Sequence, residues 1–382
     1  MDFLEVEPEP RWKSRLARAA KHLFLDRKAE HWLGELDGTR SLTAIRARVV
    51  HIVDETPDTK TFVLRTNARW QGHRAGQFTT VDVEIAGRRV RRCYSLSSGS
   101  SQPGVATVAF TVKRVPGGQV SPWLHANLRV GSIVGLSPAA GDFVLPWPAS
   151  WPPAPPASPR LLFLTGGSGI TPAMAILRDL AAWHDAQGLA DVVFVHHARS
   201  AADVAFRNTL EAFAARHPGL RLVLRTDDAP DGAGLFSEER LAALVPDLTE
   251  RLTFLCGPAG LMARVEQHFA QSGLASRLVS ERFVVPGAAP APADAEAQIV
   301  KLRLGVSGRS FAASSTGTLL EQLEKHGERP AYGCRIGVCH TCKCKKLAGT
   351  VQNLITGELS SAPEEDIQLC ISVPRSDVEL GL

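Results

Sequence analysis

The sequence predicts a multidomain protein: an antiparallel six-stranded β-barrel, then a doubly wound α/β domain, then a small α+β domain. Three observations predict it. Between residues 46 and 138, six short runs of period-two hydrophobicity follow one another with a single helical stretch among them. From residue 160 to 283, apolar strands alternate with helical stretches, the pattern of a parallel sheet. Beyond a segment rich in Pro and Ala, Cys334, Cys339 and Cys342 stand at C-x4-C-x2-C spacing, with Cys370 further on.

A chain of 382 residues suits two or three domains. Its hydrophobic fraction of 44% and charged fraction of 21% are ordinary for a globular protein. A formal charge of +4 over this length gives no argument for nucleic acid, and no apolar run approaches the length of a membrane span. The opening Met1-Asp2-Phe3-Leu4-Glu5 is acidic where a signal peptide would be basic. Four of the seven cysteines form the C-terminal set; Cys93, Cys256 and Cys344 remain, an odd number that suits free thiols. The expectation is a monomeric cytoplasmic chain.

Residues 1–45 read as a helical extension. Over 11–25, Trp12, Leu16, Ala19, Ala20, Leu23 and Phe24 recur on one helical face, with Arg11, Lys13, Arg15, Arg18 and Lys21 around them. Such a helix either covers its own protein or offers a basic face for peripheral contact with a membrane or partner.

The barrel is expected over 46–148, with strands at Ala47–Glu55, Thr59–Thr66, Gln77–Ile85, Val90–Ser98, Val105–Val115 and Ser132–Pro138. Its one helix has Ser121 as expected N-cap and Pro122 in the first turn. Gly117-Gly118 lets the backbone approach closely there, a seat for a phosphate. The prolines between Pro146 and Pro159 make a semi-rigid connector.

The α/β domain is expected over 159–285. Strand Arg160–Thr165 leads into Gly166-Gly167-Ser168-Gly169-Ile170-Thr171-Pro172, where Thr171 can cap and Pro172 can start a helix over Ala173–Trp183. Further strands are expected at Val192–His196, Leu220–Arg225, Leu252–Cys256 and Leu278–Phe283. The glycine-rich turn would hold a pyrophosphate against a helix N-terminus, although Pro172 replaces the last glycine of the full G-x-G-x-x-G fingerprint.

Residues 286–298 form a stiff linker, and the last domain runs over 299–382. Thr318 and Glu321 form a capping box for a helix over Leu319–His326, which Gly327 stops. The cysteines Cys334, Cys339, Cys342 and Cys370 have the plant-type spacing of a [2Fe–2S] cluster. A disulfide framework lacks a secretory context, and structural zinc takes its cysteines in two close pairs, not three plus one.

Taken in order, these motifs resemble the ferredoxin–NADP reductase superfamily fused to a plant-type ferredoxin domain, over residues 46–382. The segment Arg92-Cys93-Tyr94-Ser95 is similar to the family's flavin signature R-x-Y-S. The resemblance implies that Arg92 holds an FAD phosphate, Tyr94 lies along the isoalloxazine and Ser95 hydrogen-bonds its N5. It implies that Thr111, Val112 and Lys113, with Gly118, Val120 and Ser121, complete the flavin site. Gly167, Gly169, Thr171 and Pro172 resemble the nicotinamide-nucleotide loop; Cys256-Gly257-Pro258 resembles the C-G-P motif beside the nicotinamide. Glu281-Arg282-Phe283 resembles the end of the reductase module, with Phe283 at the cofactor. The resemblance also implies a β-grasp-like fold for the ferredoxin domain. Ser95 and Cys256 are the expected catalytic pair.

An acidic side chain after the second parallel strand binds a ribose diol, whereas an arginine suits a 2′-phosphate. Here His197-Ala198-Arg199-Ser200 follows that strand, with no carboxylate before Asp203. Arg199 and Ser200, and more weakly Arg207, are therefore the expected contacts that select NADPH over NADH. The expected route is NADPH to FAD to [2Fe–2S] to an external acceptor, since only a flavin can divide a hydride into single electrons. Fusions in this order resemble electron suppliers of oxygenases, above all membrane fatty-acid desaturases, with soluble multicomponent oxygenases second. A redox-sensing binding protein is the reading from another class.

Overall fold

The computed structural model describes residues 37–146, 160–184, 191–228, 236–283, 298–335, 337 and 340–382. The amphipathic stretch 11–25, the proline-rich connector 147–159, most of the linker 286–298 and Cys339 lie outside the described residues.

Six strands build the first sheet: β1 (Ile45–Thr56), β2 (Thr59–Thr66), β3 (Phe78–Ile85), β4 (Arg88–Ser95), β5 (Thr107–Lys113) and β6 (Ile133–Leu136). Their order is β4-β3-β6-β1-β2-β5, antiparallel throughout. A bridge between Leu96 and Phe110 joins the two outer strands and closes the sheet. Phe62, Leu64, Trp70, Val81, Leu96 and Phe110 fill its interior, as alternation along each strand requires. The helix α1 (Val120–Asn127) starts two residues earlier than expected. Gln119 is the N-cap and already has helical dihedrals, so Ser121 is not the cap; its Oγ accepts the Val115 N–H at 3.1 Å.

The second sheet is parallel, from β7 (Leu161–Gly166), β8 (Val192–Ala198), β9 (Leu220–Thr226), β10 (Leu252–Cys256) and β11 (Leu278–Glu281). The order β11-β10-β7-β8-β9 reverses direction between β7 and β10, and ligands of such sheets bind beyond the strand ends at that switch point. Phe163, Phe194 and Phe254 pack one face; Leu162, Leu164, Val193, Val195 and Leu255 pack the other. Among the described residues four α-helices accompany it: α2 (Ile170–His184), α3 (Arg207–Arg216), α4 (Glu238–Leu244) and α5 (Ala259–Gln271). The expected cap at Thr171 is not formed. A 3₁₀ turn at Gly167–Gly169 runs directly into α2, and Thr171 Oγ1 donates to the Ser168 carbonyl at 2.9 Å.

Helix α2 also ties the two sheets together. Asp179 accepts the Ser100 N–H at 2.7 Å and the Ser100 hydroxyl at 2.5 Å, while Arg178 donates to the Ser97 carbonyl. Glu55 Oε2 accepts the Phe206 N–H at 3.2 Å from the start of α3.

In the last unit, β12 (Ile299–Leu304), β13 (Ser310–Ser314), β14 (Lys343–Ala348), β17 (Glu365–Gln368) and β19 (Val378–Leu380) form a mixed sheet ordered β13-β12-β19-β14-β17. A smaller sheet joins β15 (Val351–Asn353), β16 (Leu359–Ser360) and β18 (Ser372–Pro374). Helix α6 (Leu319–Lys325) carries the expected capping box, with Thr318 Oγ1 accepting the Glu321 N–H and Glu321 reaching back to Thr318 N. Leu319, Leu320 and Leu323 pack it onto the core. Among the described residues no helix is long and apolar enough to cross a membrane.

Candidate active site and electron path

Two cavities meet at the junction of the barrel and the parallel sheet. The first, about 520 Å³, is lined by Arg92, Tyr94 and Ser95 from β4, by Thr111 and Lys113 from β5, and by Gly118, Val120 and Ser121 at the start of α1. Arg92, Lys113, Arg114 and Arg282 face it against one carboxylate, Glu281, among the described lining residues. A cationic cavity ending at a helix N-terminus fits a diphosphate. The Tyr94 ring stacks on Phe110 at 5.6 Å and 23°, so it presents a fixed flat wall. Burial pushes its phenol above the ordinary range, which keeps it neutral. Val112 is buried in the barrel core and supports this wall from behind.

The second cavity, about 640 Å³, opens beyond β7, β8 and β10 and is lined by Gly167, Ser168, His197, Arg199, Asp203, Gly257, Pro258 and Phe283. Lys113 and Phe283 line both cavities. Gly169 lies beneath the turn: a Cβ there would sit 2.2 Å from the Cys256 carbonyl oxygen. Its role is close packing of the two loops, and it does not line the cavity. Thr171 faces the first cavity, while Pro172 lines neither. Ser200 Oγ donates to Asp203 at 2.8 Å, and Arg207 pairs with Glu211 on the outer face of α3, away from both cavities. Asp203, expected to lie beyond the nucleotide contacts, folds back to line the same wall as Arg199.

Cys256 is fully buried at the end of β10, and its thiol lines neither cavity. Burial and the nearby Glu281 carboxylate both push it up, so it stays a neutral thiol. Glu281 is the residue that sequence reasoning did not assign to the site. Its Oε2 accepts the Ser95 hydroxyl at 3.0 Å, and surrounding protein pushes its carboxyl up to about 7. Its signal was position: it ends the parallel strand beside the switch point.

Cys334 also lines the first cavity, so the cysteine loop reaches the flavin-type site. Cys342 Sγ lies 3.2 Å from Cys370 Sγ, and Cys370 is hydrogen-bonded to Cys334 as well. Three thiols converging on one point suit an iron–sulfur cluster, which takes them as thiolates. Arg335, Gly337 and His340 all have positive φ (64°, 82° and 53°), a backbone state that L side chains seldom adopt. Gly337 takes its φ of 82° without strain, and a Cβ there would crowd the end of the Ile371 side chain at 2.8 Å. Cys344 stays out of the set, packed in β14 with its thiol raised to about 11 by burial. A larger cavity of about 1110 Å³, at residues 43–46 and 68–71, contains none of these residues.

Residues 46–145 match the oxidoreductase FAD-binding domain family, 163–267 the oxidoreductase NAD-binding domain family and 303–375 the 2Fe-2S iron-sulfur cluster binding domain family. The chain belongs to the ferredoxin-reductase oxidoreductases that carry a C-terminal [2Fe–2S] domain. This reductase is 36% identical to an NADPH oxidoreductase of Mycobacterium tuberculosis, over 90% of this chain and 85% of that one. It is 34% identical to the glycine betaine monooxygenase reductase subunit of Chromohalobacter salexigens, over 87% and 94%. Its fold matches phthalate dioxygenase reductase, a modular structure for electron transfer from pyridine nucleotides to [2Fe–2S]. That match has a TM-score of 0.61 at 22% identity, over 89% of this chain and 98% of the other. The reductase is thus an NAD(P)H-dependent oxidoreductase with FAD and a [2Fe–2S] cluster as its cofactors.

Proposed function

We propose that the reductase takes a hydride from NADPH and delivers single electrons, by way of its cluster, to a separate oxygenase. One observation carries this reading: Ser95 of the barrel, Glu281 of the parallel sheet and Cys334 of the cysteine loop line a single cavity. Electrons entering from the nucleotide side therefore have a short route to the cluster.

FAD, when bound, supplies the exchange between a two-electron hydride and single electrons. The chain's residues do the rest. Arg92 and Lys113, with the amides near Gly118 and Ser121, hold the diphosphate; Tyr94 orients the ring system and Ser95 offers a hydroxyl at its reactive edge. Gly257, Pro258 and Phe283 would flank the nicotinamide, while Cys256 stays buried behind Gly169, outside the cavity. Arg199 and Ser200 take the 2′-phosphate. Cys334, Cys339, Cys342 and Cys370 hold the cluster.

The reductase relative from Chromohalobacter serves a monooxygenase by its name, which supports an oxygenase as acceptor here. The basic amphipathic stretch 11–25 favours a second, finer reading, a membrane fatty-acid desaturase. An anaerobic NADPH titration followed by absorption and paramagnetic resonance should show flavin bleaching and then a reduced-cluster signal. Rapid turnover with an added one-electron acceptor would exclude a redox sensor. Pull-down from native lysate, with and without residues 1–28, decides between soluble and membrane partners.

A further inference from the structure

A four-group charge cluster drawn from both neighbouring domains borders the nucleotide cavity: Lys113, Arg199 and Asp203 line it, and Asp58 pairs with the two cations. Arg199 Nη2 donates to Asp203 Oδ1 at 2.5 Å and to Asp58 Oδ2 at 3.3 Å. Lys113 Nζ lies 3.3 Å from the same Asp58 oxygen. Asp58 comes from the turn between β1 and β2, on the barrel, whereas Arg199 and Asp203 follow β8. Two cations and two carboxylates leave the cluster neutral.

The two kinds of partner are held differently. The Arg199 side chain is 66% exposed, while those of Asp58 and Asp203 are 23% and 20% exposed. Asp58 Oδ1 accepts the hydroxyls of Thr56 and Thr59, each at 3.0 Å. The carboxylate is thus the fixed partner and the guanidinium the one free to swing. A 2′-phosphate brings close to two negative charges. To pair with Arg199 it competes with both Asp203 and the more distantly held Asp58, and it then remains beside both carboxylates. A ribose diol has no such need, because it can donate to Asp203 while Arg199 stays where it is.

We propose that Asp58 is a specificity-determining residue supplied by the flavin-binding domain. It competes with the 2′-phosphate for Arg199 and so narrows the preference for NADPH over NADH. The inference rests on the assignment of Arg199 to the 2′-phosphate.

Asp58→Asn tests it, because the amide keeps Oδ1 for Thr56 and Thr59 while removing the charge. In the full-length holoenzyme the KM for NADPH should fall about two- to fivefold, the scale of an exposed ion pair, with the KM for NADH unchanged. Calorimetric binding of 2′,5′-ADP should tighten by the same factor, and that of 5′-AMP should not move. Equal changes for both nucleotides, no change, or a rise in the NADPH KM would overturn the proposal. Asp58→Ser, which also leaves an oxygen for the hairpin, repeats the test should Asp58→Asn fold poorly. Arg199→Ala separates the two levels. If it weakens both nucleotides equally, the 2′-phosphate assignment fails and the Asp58 inference falls with it. If it weakens NADPH alone while Asp58→Asn is silent, only the Asp58 inference fails.

Discussion

Ser95 Oγ donates to Glu281 Oε2 at 3.0 Å, joining the last residue of the flavin-signature strand to the last residue of the nucleotide-binding sheet. Two domains thus share one hydrogen bond at the place where their cavities meet. Ser95→Ala removes the donor, and a single neutral hydrogen bond carries about 1 kcal/mol. The rate of NADPH-driven flavin reduction should fall about fivefold in stopped-flow measurements. A rate equal to that of the parent would remove Ser95 from the site.

Glu281 makes stability depend on pH. Its carboxyl is raised from 4.5 to about 7, mainly by burial and against the Ser95 hydrogen bond. A carboxyl raised on folding stabilises the native state while it is protonated. That contribution is complete below about 4.5 and is lost as pH rises through about 7. In the flavin-free protein, Glu281→Gln should therefore gain thermal stability relative to the parent as pH rises across this window. Parallel melting-temperature profiles would contradict the raised carboxyl.

Cys342→Ser should remove the cluster while leaving the flavin site intact. Cys342 belongs to the core of the last domain, and none of its atoms lines the two cavities. Iron content and the iron–sulfur absorption should disappear, and NADPH should still bleach the flavin. Loss of FAD along with iron would mean that the modules depend on one another for folding.

Gly169→Ala should be costly although it is the smallest change available. The new Cβ would meet the Cys256 carbonyl oxygen at 2.2 Å and Gly257 N at 2.7 Å, both backbone atoms that cannot swing aside. Overpacking of this kind costs about 1–3 kcal/mol, and it pushes apart the two loops that line the second cavity. A lower melting temperature and a raised KM for NADPH and NADH alike are expected. Parent-like values for both would show that the loops can separate without consequence.

Much of this protein follows from local pattern. The period-two runs of β1–β6, the alternation that builds the parallel sheet and the Thr318–Glu321 capping box are near-neighbour effects, and each forms within a few residues of its expected place. The convergence of Cys334, Cys342 and Cys370 was legible because a cluster's ligand spacing is set by the reach of a short loop. Caps were less legible: Ser121 and Thr171 sit inside their first turns, because preceding residues already take helical dihedrals and draw the helix start forward.

What the sequence could not determine was anything resting on pairs far apart in the chain. Ser95 with Glu281, Asp58 with Arg199 and Gly169 with Cys256 are separated by 80 residues or more. Spacing carries no information about such pairs, since it is the docking of the barrel on the parallel sheet, through Asp179–Ser100 and Glu55–Phe206, that brings the first two together. The same docking brings Asp58 to an arginine that Asp203, four residues further on, already holds. Residue type supplied the candidate chemistry; burial and cross-domain contact decided which groups are charged, which are shielded and which face the cofactors.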